Sequence, residues 1–304
     1  MTNPILKIEN VSFVYGKNTP FQKDALHDVS FHVKKGEFLG LIGHTGSGKS
    51  TLNQLLNGLL YPEQGRITFD NGEDKIILLP KVETKRRRKK KLNADEIKLR
   101  DLRFKVGLVF QYPEHQLFEE TVYKDIAFGP RNMGVAEDEI DGRVKEALAL
   151  VGLDEALLEE SPFALSGGQQ RRAAIAGVLA MRPEVLILDE PTAGLDPAGR
   201  DEILQNIRDH HKQTGATVIL VTHSMEDIAR HVERIVVLRR GEILTQGTPR
   251  DVFRQSDLLR SNGLAPPQVT QIMAKLALLV PGMDTGIHTV EQAAAYLERA
   301  KTDA

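Results

Sequence analysis

One stretch of the chain combines glycine, lysine and hydroxyl side chains at a spacing that suits phosphate chemistry. It reads GHTGSGKST and comes at the end of the apolar run FLGLIG. Backbone N–H groups can converge on a polyphosphate only where no side chain blocks the approach, which the three glycines permit. The spacing matches G-x-x-x-x-G-K-[ST]. The predicted phosphate-binding residues are Gly43, His44, Thr45, Gly46, Ser47, Gly48, Lys49, Ser50 and Thr51.

Within this stretch, Lys49 is predicted to reach the β- and γ-phosphates and Ser50 to offer its hydroxyl to Mg²⁺. A helix that begins at about Lys49 would direct its positive end at the same anion. The alternative is a glycine-rich turn that only joins a strand to a helix. The apolar run before the motif and the helical pattern after it favour phosphate binding.

Two neighbouring carboxylates stand at the end of a second apolar run, VLILDE. Asp189 would end a buried strand beside the phosphate loop, where a carboxylate can hold Mg²⁺ through water. Glu190 follows directly, points the other way and could accept a proton from an attacking water. A strand that ends in two solvated acids is the other interpretation, and these two residues alone leave both open.

The segment LSGGQ predicts a second helix start that is open to an anion. Ser166, followed three residues later by Gln169, is a capping-box pattern before the helix QRRAAIAGVLAM. Gly167 and Gly168 leave the first N–H groups of that helix open to close approach. A plain helix cap would explain Ser166, but it needs no pair of glycines in the first turn, where they weaken the helix.

The surrounding sequence predicts an α/β fold that positions these groups. The first seventy or so residues predict a mostly antiparallel β-layer with turns at KKGE, PEQG and NGED. A strand is predicted at FKVGLVF, and a helical region from about Thr121 to Arg182. The strands VLILD and TVILVTH, separated by the helix AGRDEILQNIRDHHKQTG, form a crossover that implies parallel pairing. RIVVLRRGEILTQG predicts a closing hairpin, and a helical appendage with a proline break at APPQ follows from about Ser256.

The composition limits the classes of function. The chain has 304 residues and a formal net charge of -2, which indicates no general attraction to nucleic acid. It has no cysteine, which excludes disulfides and thiolate metal sites. The start MTNPILKIEN lacks the pattern of a signal peptide. The apolar runs fall far short of the ~20 residues that cross a bilayer, so any work at a membrane would need a span from other chains.

Together these motifs resemble the nucleotide-binding subunit of ATP-binding-cassette (ABC) transporters. GHTGSGKST matches the Walker A motif, LSGGQ the family signature and VLILDE the Walker B motif, in the family's order. The resemblance covers residues 4–250, with a helical subdomain at about 121–182, and leaves 256–304 as a C-terminal helical extension. It implies a P-loop NTPase cassette with a parallel sheet core, an antiparallel β-subdomain, and ATP and Mg²⁺ as cofactors.

The resemblance assigns roles to four further residues. Tyr15 corresponds to the aromatic residue on which adenine stacks, and Gln111 to the Q-loop glutamine that touches Mg²⁺ and water. Asp196 corresponds to the D-loop aspartate between two subunits, and His223 to the switch histidine at the γ-phosphate. The family also implies that the signature of one subunit, Ser166 to Gln169, completes the Walker A site of another. Catalytic roles then fall to Glu190, His223 and Gln111, and metal contacts to Ser50, Gln111 and Asp189.

A narrower resemblance points to the ATPases of energy-coupling-factor (ECF) vitamin transporters, and to the second ATPase of their pair. The segment QYPEHQLFEETVYKDIAFGP and the C-terminal LAPPQVTQIMAKL and HTVEQAAAYL carry it. It implies a heterodimer with a related ATPase, a transmembrane coupling protein and a vitamin-binding membrane subunit, at the cytoplasmic face of the membrane and without nucleic acid. The alternatives are an importer that uses a substrate-binding protein, and a soluble ABC ATPase, which the single cassette without heptads disfavours.

Two segments lead to expectations outside the motifs. In YPEHQLFEETV, Leu117 and Phe118 are expected to be exposed, and Glu114, Glu119 and Glu120 are expected to meet basic residues of a coupling protein. The basic run KRRRKKK at 85–91 departs from the family pattern. A solvated loop is preferred there over contact with nucleic acid or anionic lipid, because like charges repel and do not pack.

Overall fold

The computed structural model describes residues 4–80, 99–280 and 282–302. The basic run at 85–91 lies outside these ranges. Within them, no helix is long and apolar enough to cross a membrane.

The N-terminal part forms an antiparallel sheet of four strands in the order β2-β1-β4-β5. The strands are β1 (Pro4–Tyr15), β2 (Lys23–Lys34), β4 (Gln64–Asp70) and β5 (Lys75–Leu78). Alternate residues of β2, such as Val29, Phe31 and Val33, are buried, so one face of this sheet packs on the core. The expected antiparallel layer is therefore present.

The central sheet has six strands in the order β10-β9-β3-β8-β7-β6. They are β3 (Phe38–Gly43), β6 (Val106–Val109), β7 (Val185–Asp189), β8 (Thr217–Val221), β9 (Arg234–Arg239) and β10 (Glu242–Gly247). All neighbouring pairs are parallel except the β9–β10 hairpin. Val221 is paired with both Leu41 and Asp189, so β3 and β7 bring their carboxyl ends to the same edge.

Helices cover the central sheet and form a separate layer beside it. They are α1 (Lys49–Leu56), α2 (described over 99–105), α3 (Val122–Met133), α4 (Glu137–Leu150), α5 (Gly167–Leu179), α6 (Pro197–Thr214) and α7 (Met225–His231). The strand expected at FKVGLVF is wrong at its start, because residues 104 and 105 belong to α2 and only Val106–Val109 pair in the sheet.

The core explains why the central strands read as continuous apolar runs. β3, β6, β7 and β8 are buried along their whole length, with one hydrophobic cluster on each face of the sheet. Strands of a parallel sheet that is covered on both faces show this pattern. A rigid sheet therefore holds the edge at which the charged motifs meet.

The C-terminal part consists of short helices. They are α8 (Pro249–Arg254), α9 (Ser256–Ser261), α10 (Gln268–Leu279) and α11 (Val290–Thr302). The buried prolines 266 and 267 separate α9 from α10, as the expected proline break requires.

Candidate functional site

The phosphate loop lies between β3 and α1, and close packing requires glycine at two of its positions. A Cβ on Gly43 would lie 2.3 Å from the carbonyl oxygen of Leu238, and one on Gly48 would lie 2.7 Å from that of Ala25. Helix α1 begins at Lys49 as predicted, and no side chain of the described residues caps its start. The first N–H groups of α1 are therefore available to an anion.

The side chain of Lys49 lies against the phosphate loop. Its ammonium donates hydrogen bonds to the carbonyl oxygens of Gly43, at 2.5 Å, and of His44, at 3.1 Å. Burial lowers the pKa of Lys49, while the nearby carboxylates of Glu190 and Asp189 act in the opposite direction. A desolvated ammonium in this position gains strongly from a bound phosphate.

Asp189 is a buried carboxylate beside the phosphate loop, with 7% of its surface exposed. It accepts a hydrogen bond of 3.0 Å from the side-chain amide of Asn53 and another from Ser50. Burial raises its pKa above the ordinary value in spite of these bonds. Sequence reasoning missed Asn53, although it lies one helical turn after Lys49 on the same face of α1.

Glu190 is oriented by an unusual backbone conformation. Its φ is +51°, in the left-handed region, and its N–H donates to Val221 at 2.8 Å. The carboxylate lies 2.9 Å from Nδ1 of His223, whose side chain is 82% exposed. Glu190 therefore leaves the strand in a different direction from Asp189 and contacts His223, which follows the neighbouring parallel strand β8.

A cleft of about 800 Å³ joins these residues at the carboxyl edge of the sheet. Tyr15 and Gln111 also line it, so most of the predicted residues share one cavity. The Tyr15 hydroxyl lies 3.1 Å from Oγ1 of Thr51, and its ring stacks edge-on against Phe13, which leaves part of the aromatic ring accessible. The cleft thus has an aromatic wall at one end and charged groups at the other.

The C-terminal segment also lines the cleft, which sequence reasoning did not foresee. The residues concerned are Gly263, Leu264, Ala265, Pro266, Gln268 and Gln271. The N–H of Gln268 donates to the carboxylate of Glu226 at 3.3 Å, which ties the start of α10 to α7. No local pattern in the sequence predicts this contact, because it joins distant parts of the chain.

The signature residues lie apart from this cleft. Ser166 and Gln169 form the predicted capping box, with Ser166 N–H to Gln169 Oε1 at 2.9 Å and Gln169 N–H to Ser166 Oγ at 3.4 Å. A Cβ on Gly167 would meet no atom within 4 Å, and one on Gly168 would lie 3.5 Å from Leu195. The cleft is lined by none of Ser166, Gly167, Gly168, Gln169 and Asp196 in the described part of the chain.

Asp196 contacts the start of its own helix, α6, and does not line the cleft. Its side chain caps α6 and accepts a hydrogen bond of 2.9 Å from the N–H of Gly199. That bond to the backbone lowers the pKa of Asp196. The structure therefore brings the Walker A and Walker B residues, Gln111 and His223 together, and leaves the signature and Asp196 facing elsewhere.

The segment after Gln111 differs from expectation in two ways. Leu117 is buried, at 8% exposure, so the expectation that it is exposed is wrong; Phe118 is exposed at 56% and packs edge-on against Phe128. Glu114 is also not free to meet a partner, because Arg171 holds its carboxylate through two hydrogen bonds. Burial of Glu114 acts to raise its pKa, but the hydrogen bonds from Arg171 and from the Glu114 backbone, together with the nearby positive charge, lower the pKa overall.

Comparison with known proteins agrees with this geometry. The family model described as ABC transporter matches residues 26–193, more than half of the chain. The energy-coupling factor transporter ATP-binding protein EcfA2 of Clostridium tetani is 53% identical over 289 residues, which cover 95% of this chain and 94% of that protein. The chain therefore belongs to the ABC transporter family, and it is an ATPase of that family. The narrower resemblance to ECF ATPases is confirmed as well.

Solved structures carry the same fold. The chain is similar to cbiO1 from Clostridium perfringens, described as part of the ABC transporter complex cbiONQ, with a TM-score of 0.69, 37% identity and coverage of 91% of this chain and 98% of that one. A dimeric, post-hydrolysis state of the ATP-binding cassette MJ0796 bound to ADP and Pi matches with a TM-score of 0.67 and 30% identity, over 80% and 98%. The P-loop NTPase cassette predicted from the motifs is thereby confirmed.

Proposed function

We propose that this chain is the ATP-hydrolysing motor subunit of an ECF-type vitamin or micronutrient importer at the cytoplasmic face of the membrane. It acts with a second, related ATPase, a transmembrane coupling protein and a vitamin-binding membrane subunit. The observation that carries the proposal is the separation of two anion-binding helix starts within one chain. Lys49 lies in the cleft, whereas Ser166 is presented outside it.

In the proposed mechanism the cleft binds ATP along its length. Adenine packs on the accessible ring of Tyr15, and the β- and γ-phosphates lie against Lys49 and the first N–H groups of α1. Binding of the phosphates stabilises the lysine, whose pKa burial has lowered. Transfer of the nucleotide into this site also displaces water from the phosphates, apart from the attacking molecule.

The donor set beside the phosphates suits Mg²⁺. Ser50, Asp189 and Gln111 supply hydroxyl, carboxylate and amide oxygens, which Mg²⁺ prefers. The described residues contain no cluster of three or more His, Cys, Asp or Glu that could hold a metal by itself. That agrees with an ion held by one carboxylate, phosphates and waters. When bound, the ion neutralises charge that develops on the phosphates.

Glu190 acts as the general base in this proposal. Its carboxylate projects into the cleft and contacts His223, so a water placed between the γ-phosphate and Glu190 can pass a proton to it. His223 is mostly exposed and lies where it can contact the γ-phosphate once that group is present. Gln111, which also lines the cleft, would help to hold the metal and can hydrogen-bond to the water.

The partner site follows from the exposed signature. Ser166 and the amides of Gly167 and Gly168 cap the γ-phosphate that a second subunit holds in its own Walker A loop. Bound ATP then joins two ATPases, and hydrolysis releases them. Asp196, at the start of α6, spans the same junction.

An apolar groove beside the Gln111 segment is the proposed contact with the coupling protein. Its volume is about 280 Å³, and Phe118 and Phe128 form part of its wall together with residues of α5. Asp125 also lines it, and Glu119 and Glu120 directly follow Phe118 in the chain, so a basic helix would complement this face. Because Gln111 lies at the other end of this segment, a movement there can pass between ATP and the membrane subunits.

Purification of the full-length chain from native membranes tests the proposal. We expect a second ATPase, a transmembrane coupling protein and a small vitamin-binding membrane subunit in the complex. An importer complex with an extracytoplasmic substrate-binding protein would contradict the ECF assignment. Recovery of the chain on ribosomes or DNA would contradict the transport function.

A further inference from the structure

Arg171 is a buried cation on the signature helix whose role the proposed mechanism does not explain. It lies on α5, shortly after the Ser166 cap, and only 4% of its side chain is exposed. Its Nε donates to one carboxylate oxygen of Glu114 at 3.0 Å, and its Nη2 donates to the other at 2.7 Å. This forked pair joins α5 to the short helical turn Pro113–Gln116, which directly follows the Gln111 segment.

The backbone on the Gln111 side is held in a strained conformation next to this pair. Tyr112 has a φ of +60° and a ψ of +57°, which is uncommon for a residue with a bulky side chain. Its ring lies 5.7 Å from the Arg171 guanidinium carbon. Arg171 therefore contacts both residues that flank Pro113 and fixes the exit of the chain from Gln111.

A third functional segment lies against the same guanidinium. Nη1 of Arg171 is buried and has no hydrogen-bond partner within the described part of the chain. The nearest atom to a Cβ placed on Gly194 is this Nη1, at 3.6 Å. Gly194 belongs to the loop between Glu190 and Asp196, and its φ of +78° gives that loop conformations that other residues rarely adopt.

A purely structural role explains these contacts poorly. The cost of desolvating Arg171, and in part Glu114, makes this ion pair weak evidence for stability. An unpaired buried N–H adds a further cost, because it gives up water without a replacement. Groups that cost stability in this way are often kept for a function.

We propose that Arg171 is a positioning residue that couples the signature to the Gln111 segment and to the loop after Glu190. Through its two bonds to Glu114, a shift of the Gln111 segment moves α5 and Ser166 with it. Its Nη1 donor is satisfied by a backbone carbonyl of the loop around Gly194 when the two ATPases close on ATP. The inference rests on the role that the proposed function gives to Ser166.

The test compares Arg171→Lys and Glu114→Gln in the complete transporter. Lysine keeps the charge but lacks the fork, and glutamine keeps the shape of glutamate but removes its charge. We expect either variant to lower kcat for ATP hydrolysis about tenfold, with coupling of the size seen for residues that link sites. ATP binding by the full-length chain alone should stay within about twofold, since neither residue lines the cleft.

Two further variants make the test specific. The double variant should cost no more than the larger single loss, because the two side chains act as one unit. Arg131→Lys is the matched control, since Arg131 makes a similar forked pair with Glu137, at 3.1 and 3.4 Å, on the exposed surface of α3 and α4. Its kcat should equal that of the wild type.

Several outcomes would overturn the inference. One is an unchanged kcat in Arg171→Lys and Glu114→Gln, even if both lower the melting temperature. Additive losses in the double variant, or an equal loss of ATP binding by the isolated chain, would overturn it too. Ser166→Arg, measured in parallel, distinguishes a failure of the coupling by Arg171 from a failure of the composite site. If that variant alone stops hydrolysis, the coupling by Arg171 is wrong; if Ser166→Arg is also fully active, the composite site itself is wrong.

Discussion

The nucleotide cleft and the signature helix are built on opposite principles. In the cleft, charged groups converge from several strands and helices, and burial shifts their pKa values, upward for Asp189 and downward for Lys49. At the signature, the helix start is satisfied by its own capping box and is otherwise open. Charged groups with shifted pKa values are typical of a site prepared for a ligand.

This difference indicates which part of a nucleotide site the chain supplies by itself. The cleft already contains an aromatic wall, a phosphate loop, two carboxylates and a histidine. The signature offers backbone amides and one hydroxyl without a place for the rest of a nucleotide. In the proposed mechanism the first region binds a nucleotide by itself, and the second acts on a nucleotide that another subunit presents.

The largest expected effect is on chemistry in the cleft. In Glu190→Gln the amide fills the same volume and can still accept a hydrogen bond from His223, so ATP should bind. Hydrolysis should fall about 10²–10⁴-fold, which is the usual contribution of a general base. Steady-state ATPase assays on the assembled complex measure the loss, and size-exclusion chromatography should reveal an ATP-trapped dimer.

The control for that variant is Glu146→Gln, which alters a surface carboxylate paired with Arg182. It should hydrolyse ATP at the wild-type rate. Hydrolysis by Glu190→Gln at nearly the wild-type rate would remove Glu190 from the role of base.

A smaller loss is expected for ATP binding when Lys49 is replaced. Lys49→Ala removes the ammonium set against the phosphates, and a charge-assisted bond of about 1.5–3 kcal/mol corresponds to a rise in Kd of roughly 10- to 150-fold. The fold should survive, since the lost group is a desolvated cation. Equilibrium dialysis with ATP measures the change, and Lys145→Ala, on the exposed surface of α4, is the control.

Substitutions beside the apolar groove of the Gln111 segment should weaken assembly of the transporter without changing nucleotide binding. Replacing Glu119 and Glu120 with lysine reverses two charges beside Phe118 and also breaks the surface pair between Glu120 and Lys124. We expect weaker pull-down of the coupling protein, or vitamin uptake that is uncoupled from ATP hydrolysis in proteoliposomes. Asp138→Lys, on an exposed part of α4, controls for added positive charge. Normal assembly together with normal uptake would leave the segment as a solvated loop.

The smallest expected effect is a rise in the melting temperature of the nucleotide-free protein when Asp189 is replaced by Asn. Because the folded protein raises the pKa of Asp189, the ionised form opposes folding. This contribution is absent at low pH and grows as the pH rises from the unfolded pKa of Asp towards the folded one. Asp189→Asn should therefore raise the melting temperature of the nucleotide-free protein at pH 7, by about 2–4 °C for each kcal/mol relieved.

The gain should shrink as the pH falls through the raised pKa of Asp189 towards the ordinary pKa of Asp, because the carboxyl of the wild type is then protonated as well. The exposed Asp141→Asn is the control. A lower melting temperature at pH 7 would mean that the ionised carboxylate stabilises this fold. Asp189→Asn should also lose Mg²⁺-dependent hydrolysis.

Local patterns in the sequence predicted most of the fold and of the cleft. Glycine spacing, the capping box and buried strands that end in acids are short-range signals, and the parallel register then places Asp189 and the loop after Gly43 at one edge. Asn53, the C-terminal wall of the cleft and the pairing of Glu114 with Arg171 were missed. Each of these joins parts of the chain that lie far apart in the sequence. Only Asn53 had a local signal, its position on the same face of α1 as Lys49.

The burial of Leu117 was missed for a related reason. The residues before it, Glu114–Gln116, are polar, but its side chain packs into the core cluster formed with α3 and α5. Burial of a single apolar residue in a polar loop depends on tertiary packing rather than on periodicity. The exposed Phe118 next to it could not be distinguished from Leu117 by sequence alone.

The central claim is that Ser166 serves a nucleotide held by another subunit. The most direct measurement is ATP binding and hydrolysis by Ser166→Arg, which places a bulky side chain at the open start of α5. The full-length chain alone should bind ATP with the wild-type Kd, because the cleft is intact, and the assembled ATPase pair should lose hydrolysis and ATP-driven closure. Loss of ATP binding by the chain alone would contradict the claim, since the signature would then act on the chain's own nucleotide.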